Sequence, residues 1–156
     1  MFMKRISMAL CLLVAACGDG ADGEPTPEPV AYKDMSFEQR EAFMYDVVLP
    51  QMKDTFVAFD AKYETTMSCE TCHGNGVADG SFAMPSAQIA PLPGTEEEFY
   101  AALEDPEFAR WSEFMLEKVW PQMASLLQVP VYDPEATPEG FSCSNCHTHE
   151  EPSGTP

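Results

Sequence analysis

Apolar residues recur at three- and four-residue steps in the stretch that follows Ser36, which is the spacing of one face of an α-helix. The members of this face are Tyr45, Val48, Met52, Phe56 and Phe59. Ser36 and Gln39 have the spacing of a capping box, and Asp105 followed by Pro106 marks the start of a second helix. No stretch of the chain reads convincingly as a strand. The pattern predicts a mainly α fold with few or no strands.

The two predicted helices also repeat each other. Residues 37–52 ("FEQREAFMYDVVLPQM") and 108–123 ("FARWSEFMLEKVWPQM") share seven identities at a constant offset of 71 positions. The identical pairs are Phe37 and Phe108, Phe43 and Phe114, Met44 and Met115, Val48 and Val119, Pro50 and Pro121, Gln51 and Gln122, and Met52 and Met123. Each repeated proline removes a backbone donor, which predicts a bend in its helix.

A Cys-x-x-Cys-His motif follows each copy, as "CETCH" at 69–73 and "CSNCH" at 143–147. This spacing is the attachment signature of c-type haem. Two sulfurs reach two vinyl positions on one edge of the macrocycle, and the adjacent imidazole lies beneath the iron as its proximal ligand. The sequence therefore predicts two covalently bound haem c groups. The attaching residues are Cys69, Cys72, Cys143 and Cys146, and the proximal ligands are His73 and His147.

Two other uses of the four motif cysteines are chemically sensible. In an exported protein they could form two disulfides. They could also hold zinc, with four cysteines or with a mixture of cysteine and histidine. Neither use requires a histidine at the same offset from both pairs.

The second axial position of each iron needs its own ligand, and methionine is the expected one in a chain with ten methionines and three histidines. Met52 is predicted to be the distal ligand of the haem at His73, and Met123 that of the haem at His147. The reserve candidates are Met44, Met115, Met84 and His149. Methionine on an apolar helical face also serves as ordinary core filler.

The N-terminus reads as an export signal. Lys4 and Arg5 precede an apolar run at 6–16 that is too short to cross a bilayer. The "LVAAC" that ends at Cys17 resembles the lipobox of bacterial lipoproteins, which implies cleavage after residue 16 and a lipid on Cys17. An ordinary cleaved signal with an incidental cysteine is the alternative.

The composition of the remaining residues predicts a flexible tether, a folded domain and a C-terminal tail. Residues 17–35 are rich in Gly, Pro and acidic residues and are predicted to be a flexible tether. A di-haem domain is predicted at 36–149, with repeat units at 36–73 and 105–147. Between them, 74–104 is predicted to be a connecting loop with a short helix, which Thr95 and Glu98 would cap. Residues 150–156 are predicted to be a disordered tail.

The charge limits the partners. Eight basic and 26 acidic residues give a net charge of −18, and removal of Lys4 and Arg5 with the leader leaves 6 − 26 = −20. Nucleic acids and anionic membrane surfaces are therefore poor partners. Redox partner proteins with basic docking surfaces suit this charge better.

A methionine-bearing helix, a loop and Cys-x-x-Cys-His together resemble the haem-binding unit of the tetrahaem cytochrome subunit of photosynthetic reaction centres, itself often a lipoprotein. The resemblance covers roughly residues 36–147. It implies electron transfer, and it implies that the helix methionine is the sixth ligand, which corresponds to Met52 and Met123, with Met44 and Met115 as the alternative pair. This chain has two units where that subunit has four, so a photosynthetic role does not follow.

The expected protein is an electron carrier rather than an enzyme: an exported, membrane-anchored di-haem c-type cytochrome. Its expected place is the bacterial cell envelope, facing the periplasm or the cell surface. Gly18 after the lipobox cysteine favours the outer membrane, by resemblance to enteric lipoproteins in which Asp at this position marks inner-membrane retention. The alternatives are a small di-haem oxidoreductase such as a peroxidase, and a zinc-stabilised binding lipoprotein.

Overall fold

Helices dominate the computed structural model, which describes residues 30–153. Helix α1 consists of Phe37–Phe43, a π-helical turn Met44–Val48 and Leu49–Phe59. Short helices follow at Tyr63–Thr66 (α2), Cys69–His73 (α3) and Glu96–Ala102 (α4). Helix α5 consists of Pro106–Phe114, a π-helical turn Met115–Val119 and Trp120–Leu126. Single 3₁₀ turns lie at Tyr32–Asp34, Gly74–Gly76 and Cys143–Asn145.

The described residues contain no strand, which confirms the predicted mainly α class. Three isolated bridges, Leu92 with His149, Val131 with Phe141 and Asp133 with Thr137, order the irregular segments. None of the helices in residues 30–153 is both long enough and apolar enough to cross a membrane.

The predicted helix starts are confirmed by their hydrogen bonds. Ser36 and Gln39 form the expected capping box at α1, and Thr95 with Glu98 forms one at α4. At α5, the Asp105 carboxylate accepts bonds of 2.9 Å from the backbone N–H groups of two residues, Glu107 and Phe108. These bonds satisfy donors that the first helical turn cannot pair internally.

Removal of the Asp105 cap is expected to destabilise the domain by about 1 kcal/mol, because Asp105→Ala leaves both N–H groups to water alone. Denaturant unfolding of the complete mature protein measures this change as a lower midpoint. Asp54→Ala, at an exposed position inside α1, is the control and should leave the midpoint unchanged or slightly higher, since alanine favours a helix interior. Equal effects of the two substitutions would contradict a capping role for Asp105.

The two long helices share a π-helical turn at positions that differ by the repeat offset of 71. In each, the first residue after the turn donates to the carbonyl five residues earlier, Leu49 to Met44 and Trp120 to Met115. Proline is the next residue in both helices, and it has no N–H for the regular α-helical bond. The widened turn therefore lies where the regular ladder is already broken.

The π-helical turn Met44–Val48 changes which residue lies on the predicted apolar face of α1. Tyr45 was expected on that face with Val48, but its side chain is 66% exposed. The turn adds one residue, so Met44 packs against the core in its place. Val48, Met52 and Phe56 are buried as predicted.

The core lies between α1 and α5. Its buried members are Val48, Met52, Phe56, Met67 and Phe114. The Phe114 ring stacks on Phe59 with centroids 4.0 Å apart and meets Phe56 edge-on at 5.0 Å. Beside these rings, the Gln122 side chain bonds to Thr55 at 2.6 Å across the helix interface. Residues of both predicted repeats thus contribute to one core.

Both ends of the domain extend beyond the predicted limits. Tyr32, which was assigned to the flexible tether, packs its ring 5.7 Å from that of Phe43. Glu150, which was assigned to the disordered tail, donates its N–H to the Leu92 carbonyl at 2.8 Å. An aromatic contact holds the first of these residues and a backbone bond holds the second. Residues 1–29, which include the predicted signal peptide and Cys17, and residues 154–156 lie outside the described part.

Candidate functional site

The first Cys-x-x-Cys-His motif forms a single helical turn, α3. Ser68 starts it by donating its N–H to the Thr71 hydroxyl at 3.0 Å. Cys69 and Cys72 are three residues apart in this helix, a spacing that places both sulfurs on one side. Cys72 packs against the apolar core, so the motif is joined directly to the helix interface.

The second motif has a similar local construction. The N–H of Ser142 donates to the Asn145 side chain at 2.7 Å, at the same place before the motif as the bond from Ser68. The 3₁₀ turn Cys143–Asn145 follows, and the N–H groups of Cys146 and His147 both donate to the Cys143 carbonyl, at 3.1 and 3.0 Å. Each motif is therefore a short hydrogen-bonded turn.

The two motif histidines have the same hydrogen-bond arrangement. Nδ1 of His73 lies 3.0 Å from the Phe82 carbonyl, and Nδ1 of His147 lies 2.9 Å from the Ala90 carbonyl. A carbonyl oxygen only accepts, so Nδ1 carries a proton in both rings, and in the neutral form of such a ring the lone pair is on Nε2. This is the tautomer that metal-binding histidines usually have, with the other ring nitrogen bonded to an acceptor.

Burial lowers the pKa of His73, although the hydrogen bond to Phe82 partly offsets the effect. The ring therefore favours its neutral form, which has a free lone pair. The Phe82 ring also meets His73 edge-on at 5.6 Å, which restricts the orientation of the imidazole.

The four motif cysteines are free thiols in the described structure, so the two disulfides named as an alternative are not formed there. Burial raises the pKa of Cys72 to about 11, with a smaller contribution from Cys69. Burial also raises the pKa of Cys146 to about 11, with smaller contributions from Cys72 and Cys143. A redox-active thiol pair typically has a lowered pKa, so these environments differ from that type of site.

The two motifs lie next to each other. The N–H of Ser86, in the segment after the first motif, donates to the Cys146 carbonyl at 3.3 Å. Further along the same segment, the N–H of Leu92 donates to the Thr148 carbonyl at 2.8 Å. The segment that leaves the first motif thus runs along the second.

The predicted distal methionines both belong to the core between the helices. Met52 is only 3% exposed, and Cys72 of the first motif packs against the same cluster. Met123 is half-buried and packs against this cluster too, as do the reserve candidates Met44 and Met115. The structure therefore brings Met52 and the first motif to one apolar cluster.

The other two reserve candidates for the distal ligand, Met84 and His149, lie outside the long helices α1 and α5. Met84 is half-buried in the segment between the two carbonyls that bond the histidines. His149 is exposed, and its Nε2 lies 2.9 Å from the Ser144 hydroxyl.

Sequence reasoning missed the groups that orient the histidines. Phe82 and Ala90 act through backbone carbonyls, which every residue type supplies, so no sequence signal marks them. Ser86, a buried polar residue in the same segment, was also missed. The Gly/Pro-rich composition there predicted only a loop.

Within residues 30–153, no three His, Cys, Asp or Glu side chains converge so that they could hold a metal ion on their own. Comparisons of the chain with protein-family models, curated proteins and solved structures found no match.

Proposed function

We propose that this chain is an exported, lipid-anchored di-haem c-type cytochrome that relays electrons between other proteins. One observation carries the proposal. Each Cys-x-x-Cys pair is followed by a histidine whose Nδ1 bonds to a backbone carbonyl, at 3.0 Å for His73 and 2.9 Å for His147. Two such histidines fit proximal ligation, because a neutral ring with its proton on Nδ1 can bind iron through Nε2, and each histidine follows two cysteines at the attachment spacing.

The side chains have distinct tasks in this proposal. Cys69 and Cys72 hold one haem by thioether bonds, and Cys143 and Cys146 hold the other. His73 and His147 bind the irons through Nε2, while their Nδ1–H bonds fix the ring orientation. When bound, each haem supplies a reversible one-electron oxidation and reduction of its iron. The chain's own task is to hold the groups, exclude water and set their potentials.

Met52 and Met123 are the proposed distal ligands. A thioether favours the reduced iron and so raises the reduction potential. Support for Met52 comes from its burial in the cluster against which Cys72 packs, because a ligand there is protected from water. Met123 repeats Met52 at the offset of 71 and packs against the same cluster.

The proposed partners are proteins that donate and accept single electrons. The mature charge of −20 favours partners with basic docking surfaces and disfavours nucleic acid. A lipid on Cys17 would keep the domain at a membrane surface of the bacterial envelope, facing the periplasm or the cell exterior. The outer membrane is the proposed location on the basis of Gly18.

Expression of the full chain with a cytochrome c maturation system tests the proposal. The intact mass of the mature protein is expected to include two haem additions of roughly 600 Da each. Pyridine haemochrome quantitation is expected to give two haems per chain. A colourless product without these additions would overturn the proposal, and metal analysis would then test the zinc alternative.

The same preparation separates an electron relay from a peroxidase. A relay is expected to have six-coordinate, low-spin iron at both sites and no turnover of peroxide. Catalysis at haem needs an open or labile sixth position with an acid or base nearby. Peroxide turnover together with a high-spin site would therefore favour the enzyme.

A further inference from the structure

A single loop bonds both motif histidines. This segment, residues 82–90, is called the bridging loop here. The carbonyl of its first residue, Phe82, accepts from Nδ1 of His73, and that of its last residue, Ala90, accepts from Nδ1 of His147. The orientation of each imidazole therefore depends on the conformation of the same nine-residue segment (90 − 82 + 1 = 9).

The Gln88 side chain bonds the bridging loop to the 3₁₀ turn Gly74–Gly76, which directly follows the first motif. Its Oε1 accepts from the N–H of Asn75 at 3.0 Å, two residues after His73. Gly74, with φ of +52°, lies directly against this side chain, and a Cβ at Gly74 would overlap the Gln88 oxygen. Glycine is required at this position both by the positive φ and by this close contact.

Ser86 fastens the same loop to the second motif. It is only 4% exposed, and its N–H donates to the Cys146 carbonyl at 3.3 Å. Its hydroxyl accepts from the Gln88 N–H at 3.3 Å and lies 3.4 Å from the Gln88 Oε1, to which it donates. Ser86 and Gln88 therefore form one polar unit that bonds to the turn after the first motif and to Cys146 of the second.

We propose that Gln88 is a positioning residue that couples the two proximal histidines. Its side chain bonds to Asn75 in the turn that follows the first motif, and it reaches the second motif through Ser86 and the loop backbone. A change in how Gln88 holds the loop moves the Phe82 carbonyl and the Ala90 carbonyl together. This inference rests on the proposed function, since the coupling concerns the ligands of two haems.

The test is Gln88→Ala in the complete haem-loaded protein. In the oxidised protein, the hyperfine-shifted ¹H resonances of the haem methyl groups report the orientation of the axial histidine, with one set for each haem. Both sets are expected to move from their wild-type positions while the haem content stays at two. Movement of one set alone, or of neither, would overturn the coupling.

Matched variants separate positioning from a general loss of structure. Gln88→Glu keeps an oxygen for the Asn75 N–H and for Ser86, so it is expected to restore the wild-type methyl pattern that Gln88→Ala loses. Lys118→Ala, which removes only an exposed ion pair with Glu117 on α5, away from the bridging loop, is expected to leave both sets unmoved. If Gln88→Ala does not fold, Gln88→Met keeps the length of the side chain without its oxygen and is expected to move both sets.

The outcomes also separate this inference from the proposed function. A wild-type protein that gives no haem methyl resonances would overturn the function, and the coupling with it. Two wild-type sets, of which only one responds to Gln88→Ala, would leave the function intact and overturn the coupling alone.

Discussion

Substitution of all four motif cysteines by alanine is expected to leave the chain largely disordered. The described residues bury only six apolar side chains, which is a small core for a domain of this length. Two covalently held porphyrins would supply the apolar surface that the chain itself lacks. Far-UV circular dichroism of the purified variant is expected to give the spectrum of an unfolded chain.

Paired variants determine how much each haem contributes to this effect. Cys69→Ala with Cys72→Ala removes the attachment site whose second thiol packs against the core. Cys143→Ala with Cys146→Ala removes the other site, whose residues are not among those of the core cluster. The first pair is therefore expected to lower the thermal midpoint more than the second. A native-like spectrum of the fourfold variant would contradict the dependence of folding on haem.

The features that were predicted correctly from the sequence depend on neighbours in the chain. A capping box needs only a residue and its third successor, so Ser36 with Gln39 and Thr95 with Glu98 could be identified directly. The carboxylate of Asp105 likewise acts within its own helical turn. These local signals correctly predicted where helices α1, α4 and α5 begin.

The features that were missed depend on contacts between distant parts of the chain or on a change of helical period. Tyr45 was assigned to the apolar face by a regular α-helical count, which the π-helical turn at Met44–Val48 shifts by one residue. Tyr32 was assigned to the tether by composition, whereas the ring of Phe43 holds it. Composition and periodicity contain no information on such partners.

The candidate site combines both kinds of feature. The spacing of cysteines and histidines identified the two motifs, because the proposed covalent attachment of haem would constrain residues that are close in the chain. The acceptors of His73 and His147 are carbonyls 9 and 57 residues away in the sequence. A backbone carbonyl imposes no residue type, so these bonds become visible only in the folded chain.

Met52→Leu is expected to lower the reduction potential of one haem by on the order of 0.1 V, within the ~0.8 V range that axial ligands span. Leucine has nearly the volume of methionine, so the buried cluster should lose less than about 1.5 kcal/mol of stability. It has no thioether, however, and cannot ligate iron. Potentiometric titration is expected to show one potential lowered and the other nearly unchanged.

Met67→Leu is the matched control, because Met67 is a buried methionine of the same cluster that lies outside the repeated helices. It is expected to leave both potentials and both low-spin spectra unchanged. Met123→Leu is expected to act on the other haem, since Met123 occupies the corresponding place in the second copy. If Met52→Leu keeps both wild-type potentials, Met52 is a packing residue, and the same titration of Met44→Leu tests the reserve ligand on the same helix.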